Sequence, residues 1–473
     1  MAGVLAVVAA HADLAPDEAY YALWSRDLAW GYFDHPPMVA AWIRLSTTLF
    51  GPNPFGVRGL SIVAWIIGGG LVEWIAWRLF ASERAAGVAG LFFVATPLLS
   101  AGAIIVTPDT PLVFFSTLAL AALVEIWRGG GRAWWAALGL AAGAALLSKF
   151  TTAFLVAGVA LAMLIVPSLK VWLKRVEPVF ALMIAALMYA PFVLWNADHD
   201  WATFMKQFGR VPPQGFAPGY VLEFLAAQFA LLNPLIAILC ATAAAEAVQT
   251  GLRPTSPPEQ ARALLISFVA PALLYFLLHS LHARVEGNWT APFYPALILL
   301  AADQARRAER GLKAFLSVWA VRLGLAFVAL AALQALFAPL PLGRVDPISR
   351  LAGWRDLAKE AGALAKAQGA DFILTRGYAL TSELTFYGDA SILVAEPDER
   401  ARWTFMAPPL EAAFAGRGLA IDDAGADASA WLNGRFREVE RIGSLERKRG
   451  ATTLERYDIL RVASPTGDVL GTR

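Results

Sequence analysis

Ten stretches of this chain are apolar over nearly the length of a membrane-crossing helix. They cover roughly 59–78, 86–105, 110–127, 134–148, 151–167, 178–196, 221–245, 262–281, 291–303 and 314–338. A helix needs ~20 apolar residues to cross ~30 Å of hydrocarbon, so runs of this number and length point to a polytopic membrane protein. Composition agrees: 58% of the residues are hydrophobic and 16% charged, against ~25% charged in soluble domains. This balance argues against a nucleic-acid binder, a disordered chain or a disulfide scaffold. The net charge of +2 implies no acidic partner. Cys240 is the one cysteine, so no intramolecular disulfide can form.

The runs are not all alike. Residues 1–10 are apolar, but Asp13 soon interrupts them. About ten residues cannot cross the bilayer, and no basic segment marks a signal peptide. The expectation is a start that has lost most of a first membrane helix, with a short re-entrant start as the alternative. Residues 38–50 alternate apolar and polar faces, which suits an interfacial helix. The stretch around Lys149 is too long for one span and short for two, so it reads as two short helices broken at Ser148-Lys149.

Loop cations set the orientation. One set of loops carries Arg78, Arg84, Arg128, Arg132, Lys170, Lys174, Arg175, Arg253, Arg306, Arg307, Arg310 and Lys313. The positive-inside rule places that set in the cytoplasm. The opposite, external set then holds 13–37, 107–110, the Lys149 break, 198–218 and 282–290, and by parity the tail after 341. The tail is charged and punctuated by Gly and Pro. Residues 354–367 read as an amphipathic helix, 371–375 and 391–395 as short strands, and 381–387 as a helix between them. The expected architecture is an all-α polytopic membrane domain of about 10–12 spans over 1–342, followed by a small external α/β domain over 343–473.

The external loops hold the unusual polar groups: Asp17-Glu18, Asp34-His35-Pro36-Pro37, Asp109-Thr110-Pro111, Ser148-Lys149-Phe150, and Arg284-Val285-Glu286-Gly287-Asn288-Trp289. Ionisable groups at a membrane boundary are costly unless paired or used. Each also has a structural alternative. Asp17 and Asp109 suit helix N-caps, and Glu18 complements a helix dipole. Asp34-His35 before two prolines suits a turn. Lys149 can snorkel, Arg284 can pair with Glu286, and Trp289 can sit in an interfacial belt. Asn288-Trp289-Thr290 also matches a glycosylation sequon. Asp34, His35, His199 and His282 could converge outside the membrane, but their spacing matches no zinc motif. Residues 198–216 carry aromatics with Lys206 and Arg210 and read as an external loop, either a mobile cover or a solvated connection.

Taken in order, these motifs resemble GT-C glycosyltransferases, in particular bacterial relatives of the protein O-mannosyltransferases and of the lipid A aminoarabinose transferases. Asp17-Glu18-Ala19-Tyr20-Tyr21 through Asp34-His35-Pro36-Pro37 resembles the first external loop. Asp109-Thr110-Pro111-Leu112 resembles the second acidic motif, and Ser148-Lys149-Phe150-Thr151 the lysine motif. Residues 286–292 resemble a later external loop, and 378–387 part of the external domain. The aminoarabinose transferases usually carry an acidic-Lys-Pro-Pro run where this chain has Asp34-His35-Pro36-Pro37.

The resemblance implies transfer of a sugar from a polyprenyl-phosphate donor to a hydroxyl of a glycolipid, polysaccharide or protein, at the periplasmic face of a bacterial inner membrane. Membrane lipids are implied partners and nucleic acid is not. The implied general base is Asp17, acting by single displacement with inversion, with Asp109 as a second carboxylate. His35, Lys149 and Arg284 would meet the phosphate. Glu18, Asp34, Glu286, Asn288 and Trp289 would meet sugar or acceptor. No cofactor is implied, because a lipid monophosphate need not have a bridging metal. Two rival functions fit the same composition. A transporter or lipid-linked sugar flippase should concentrate polar groups near the bilayer midplane, often with repeat symmetry. A catalytically dead binding or assembly subunit would not need Asp17 and Lys149.

Overall fold

The computed structural model describes residues 1–209, 215–406, 409–427 and 431–470. The chain forms two compact units, one of residues 1–6, 35–39 and 59–330, the other of 7–34, 40–58 and 331–473. Arg210, singled out above in the 198–216 loop, lies outside the described residues.

The first unit is helical. Among the described residues of the chain, six helices are long and apolar enough to cross a membrane, or seven if the bent pair Thr152–Ile165 and Pro167–Lys174 counts as one span. Several apolar runs are broken, and proline explains most breaks. The run at 86–105 divides into Glu83–Val94 and Pro97–Ala101, because Pro97 has no N–H to donate back along the helix. The run at 221–245 divides into Gly219–Leu232 and Pro234–Gly251. Between them Asn233 has a φ of +78°. Its side chain accepts from the Leu235 N–H at 3.0 Å and donates to the Ala320 carbonyl at 2.7 Å, so the exposed backbone of the break is satisfied. The expected pair around Lys149 is present as Arg132–Leu146 and Thr152–Ile165. Helices pack closely through small residues. A Cβ on Gly158 would lie 2.5 Å from the Phe268 carbonyl oxygen, so only glycine admits this approach.

Several cations that set the orientation are paired. Asp303, wholly buried, accepts from Arg262 (2.9 Å), Arg306 (2.7 Å) and Arg307 (3.2 Å). Arg78 pairs with Glu125, and Arg132 with Glu177.

The second unit joins the first polar stretch to the tail. Its centre is a five-stranded sheet of β1 (Phe372–Thr375), β2 (Leu393–Ala395), β3 (Gly418–Asp423), β4 (Phe436–Arg449) and β5 (Thr452–Pro465) in the order β2-β1-β3-β5-β4. The pairs β1–β2 and β1–β3 are parallel, and β3–β5 and β4–β5 antiparallel. Alternation along the strands sends Ile373, Leu419 and Ile459 to one face under helix Trp354–Ala367, and Phe372, Leu374, Ala420 and Leu460 to the other. The sequence showed the two short strands and the helix between them, here Tyr378–Tyr387. It did not show β3 or the β4–β5 hairpin. Gly353, with φ +83°, starts helix Trp354–Ala367, and a Cβ there would lie 2.3 Å from the Lys448 carbonyl oxygen.

Residues 7–34 pack with this sheet domain, whereas the sequence boundary at 342 grouped them with the membrane helices. The joint is specific. Asp13 donates its N–H to the Leu351 carbonyl, and its carboxylate accepts from the Trp354 N–H at 2.9 Å. It thereby caps a helix some 340 residues away along the chain. The Leu14 N–H donates to the Tyr387 hydroxyl at 2.7 Å. Arg58, wholly buried, uses every donor of its guanidinium. Nε and Nη2 donate to the two oxygens of Glu18 at 2.9 and 2.6 Å. Nη2 also donates to the Asp13 carbonyl, and Nη1 to those of Ala12 and Ala9, at 2.7, 2.9 and 3.2 Å.

A buried pair is costly to break, because it leaves one charge uncompensated. Arg58→Met should therefore cost about 3–5 kcal/mol of stability, read as a fall in thermal midpoint of the detergent-purified chain. Adding Glu18→Gln should recover part of the loss; if the single variant melts like wild type, the pair is not what holds this segment.

Candidate active site

Asp17 lies in the first turn of helix Pro16–Trp24. It does not cap that helix; its two oxygens are occupied elsewhere. The Tyr378 hydroxyl donates to Oδ1 at 2.8 Å, and the Arg350 guanidinium stands 3.4 Å from Oδ2. The Asp17 side chain is one third exposed, so the carboxylate is held and still reachable. Glu18, its neighbour, is wholly buried with both oxygens on Arg58, and Oε2 also accepts from the Ala15 N–H. A fully enclosed carboxylate meets no ligand, so the sugar- or acceptor-binding role assigned to Glu18 gives way to a structural one. Adjacent helical residues point about 100° apart, which is why one is reachable and the other is not.

Asp34 is buried. It accepts from the Arg402 guanidinium at 2.6 Å and from the Tyr20 hydroxyl at 3.0 Å. The Arg402 guanidinium lies over the Tyr378 ring, 4.6 Å from its centroid. Tyr20 also packs against Tyr378 and Trp403, with centroids 5.4 and 5.5 Å apart. Burial, then the charge of Asp17, pushes the Tyr378 hydroxyl up, so it remains protonated as a donor. Glu396 accepts from the Gly377 N–H at 3.0 Å and from Trp403 Nε1 at 2.9 Å. Tyr378 opens the 378–387 stretch that the resemblance assigned to the external domain, whereas Arg402 and Glu396 carried no local signal in the sequence.

The remaining candidates belong to the other unit. Lys149 Nζ donates to both oxygens of Asp109, at 2.8 and 3.0 Å, and the Asn288 amide donates to Asp109 Oδ2 at 2.5 Å. Asp109 opens helix Asp109–Trp127 without capping it. Lys149 and Asp109 are only 11% and 12% exposed, so this is a largely enclosed, charge-balanced cluster. The strand of chain after His35 reaches the same turn, since the Met38 N–H donates to the Leu147 carbonyl at 3.0 Å. His35 itself is half-buried. Asn288 is placed by a short 3-10 helix, Gly287–Phe293, which Gln228 secures through Gly287, Thr290 and Tyr294. Trp289 is half-buried against Phe276. Arg284 and Glu286 are exposed and 3.9 Å apart, with Glu223 3.8 Å from the same guanidinium. Among the described residues no three His, Cys, Asp or Glu side chains gather as metal ligands.

Two carboxyls of the sheet domain are strongly perturbed. Glu383 is wholly enclosed and neither of its oxygens has a hydrogen-bond partner among the described residues. Burial pushes its carboxyl well above the usual range. Burial pushes Glu396 up to about 7. A carboxyl raised in the folded state contributes stability below its unfolded value and loses it as pH rises. Wild type should therefore lose up to ~3 kcal/mol relative to Glu396→Gln between pH 4.5 and 7. Parallel melting curves of the two proteins across that window would contradict this.

Known proteins share this architecture. A family model described as dolichyl-phosphate-mannose-protein mannosyltransferase matches residues 34–195. A lipid A galacturonosyltransferase, RgtD of Rhizobium johnstonii, is 28% identical over 390 residues, 79% of this chain and 77% of the relative. An undecaprenyl phosphate-alpha-4-amino-4-deoxy-L-arabinose arabinosyl transferase of Erwinia tasmaniensis is 29% identical over 364 residues, covering 70% of this chain. The match spans 62% of that relative's length. The crystal structure of ArnT from Cupriavidus metallidurans bound to undecaprenyl phosphate superposes over 100% of this chain and 97% of its own, with a TM-score of 0.65 and 16% identity. The ArnT fold is therefore matched over the whole chain, and over most of its length the chain is similar in sequence to these sugar transferases.

Proposed function

We propose that this chain moves a sugar from a polyprenyl-phosphate donor to an acceptor hydroxyl at the periplasmic face of a bacterial inner membrane, with the sheet domain on that side. The observation that carries the reading is Asp17: a reachable carboxylate oriented by a tyrosine hydroxyl and an arginine. The acceptor oxygen attacks the anomeric carbon, and its proton passes to the Asp17 carboxylate. The bond from that carbon to the phosphate oxygen breaks, and the electron pair leaves with the polyprenyl phosphate. One displacement inverts the anomeric centre.

The leaving phosphate needs positive charge. Lys149, Arg284 and His35 are the proposed contributors, with Asp109 holding Lys149 and Asn288 in one arrangement. Asp34 is a positioning group, since Arg402 and Tyr20 already occupy it. Glu286, Asn288 and Trp289 are proposed for sugar or acceptor. The relatives' names narrow the chemistry: one is a lipid A galacturonosyltransferase, and the other transfers 4-amino-4-deoxy-L-arabinose named with undecaprenyl phosphate. A lipid-linked uronic or amino sugar and a lipid A-type glycolipid are therefore the substrates to try first.

The experiment uses the purified chain in liposomes with radiolabelled undecaprenyl-phosphate sugars and lipid A. Wild type should transfer label, and Asp17→Asn should lower the rate by about 10²–10⁴-fold with little change in thermal midpoint. Full transfer by Asp17→Asn would remove it as the base. Label that crosses the bilayer without being consumed would replace the transferase reading with a flippase.

A further inference from the structure

The sheet domain does more than sit outside the membrane. Two of its side chains reach two acidic residues of the first loop, Asp17 and Asp34. Tyr378 sits at the start of helix Tyr378–Tyr387, and its hydroxyl ends on Asp17 at 2.8 Å. Arg402, some 24 residues further on, ends on Asp34 at 2.6 Å. These are not independent contacts. The Arg402 guanidinium covers the Tyr378 ring, and the Arg402 carbonyl accepts from the Tyr20 hydroxyl at 3.1 Å. Tyr20 in turn donates to Asp34. One closed set therefore links Asp17, Tyr378, Arg402, Asp34 and Tyr20. Glu396 ties the two contributing segments together, because it accepts from Gly377, the residue before Tyr378, and from Trp403, the residue after Arg402.

A carboxylate held by a directed donor keeps one orientation, most firmly where the donor is charged. Tyr378 supplies a neutral donor to Asp17, and Arg402 a charged one to Asp34. The Tyr378 bond also fixes which face of the Asp17 carboxylate remains open, since Oδ1 is occupied and Oδ2 has only the mostly exposed Arg350 beside it.

We propose that Tyr378 and Arg402 of the C-terminal domain are positioning residues of the transfer reaction, Tyr378 setting the orientation of Asp17 and Arg402 that of Asp34, with Glu396 holding the two in register. The proposal rests on Asp17 as general base.

The test needs no substrate in its first arm. The full-length chain in liposomes is labelled with a water-soluble carbodiimide and glycine ethyl ester at one fixed pH, and each carboxyl is read by peptide mass spectrometry. A carboxylate covered by a neighbouring donor is shielded, so each yield reports one residue. Tyr378→Phe should raise the labelling of Asp17 several-fold, because its Oδ1 is uncovered. It should leave the labelling of Asp34 in place. Arg402→Gln should raise the labelling of Asp34 and change Asp17 less. The second arm measures transfer with undecaprenyl-phosphate sugars: Tyr378→Phe should lower kcat about tenfold while donor KM changes little. Unchanged labelling in both variants would overturn the proposal. If instead Asp17→Asn transfers at the wild-type rate, the base assignment fails separately, whatever the labelling shows.

Discussion

The arrangement around the first polar stretch depends on one buried guanidinium. Arg58 has five N–H donors, and all five find acceptors: two on Glu18 and one each on the carbonyls of Ala9, Ala12 and Asp13. Arginine is the only side chain with enough donors in a fixed fork to do this. Its charge would be prohibitive inside the protein without Glu18. With Glu18 in place it locks residues 9–18 and sets the rotation of the helix that begins at Pro16. That rotation buries Glu18 and leaves Asp17 reachable. The neighbouring contacts of Asp13 with Trp354, and of Leu14 with Tyr387, bring the sheet domain to the same few residues.

From this follows a division of labour among acidic groups that look alike in the sequence. Glu18 is a partner for a cation and nothing more. Asp34 is enclosed by Arg402 and Tyr20. Asp109 is shared between Lys149 and Asn288. Asp17 alone of these four combines oriented hydrogen bonding with appreciable exposure. A base must reach the proton it accepts, so accessibility distinguishes it where residue type cannot.

Much of this was legible in the chain. Apolar run length revealed the membrane helices, and the interruption at Ser148-Lys149 revealed a pair of short helices there. The amphipathic period over 354–367 revealed the first helix of the sheet domain. Two broken runs carry their own signal: Asn233-Pro234 and Thr96-Pro97 mark places where a helix cannot continue. The β4–β5 hairpin was hidden for a different reason. β4 is an edge strand with most of its side chains in solvent, so its charged sequence gave little of the alternation that identifies a half-buried strand. The partners of Arg58, Tyr378 and Arg402 were invisible because each lies 40 to 368 positions away. No local pattern encodes a partner at that separation.

The central claim is that Asp17 acts as a base in a single displacement. The most direct measurement is the anomeric configuration of the transferred sugar, determined by NMR on the purified product and compared with the donor. The account predicts inversion. Retention would contradict it, because two successive displacements would require a carboxylate to form a covalent sugar intermediate, making it a nucleophile.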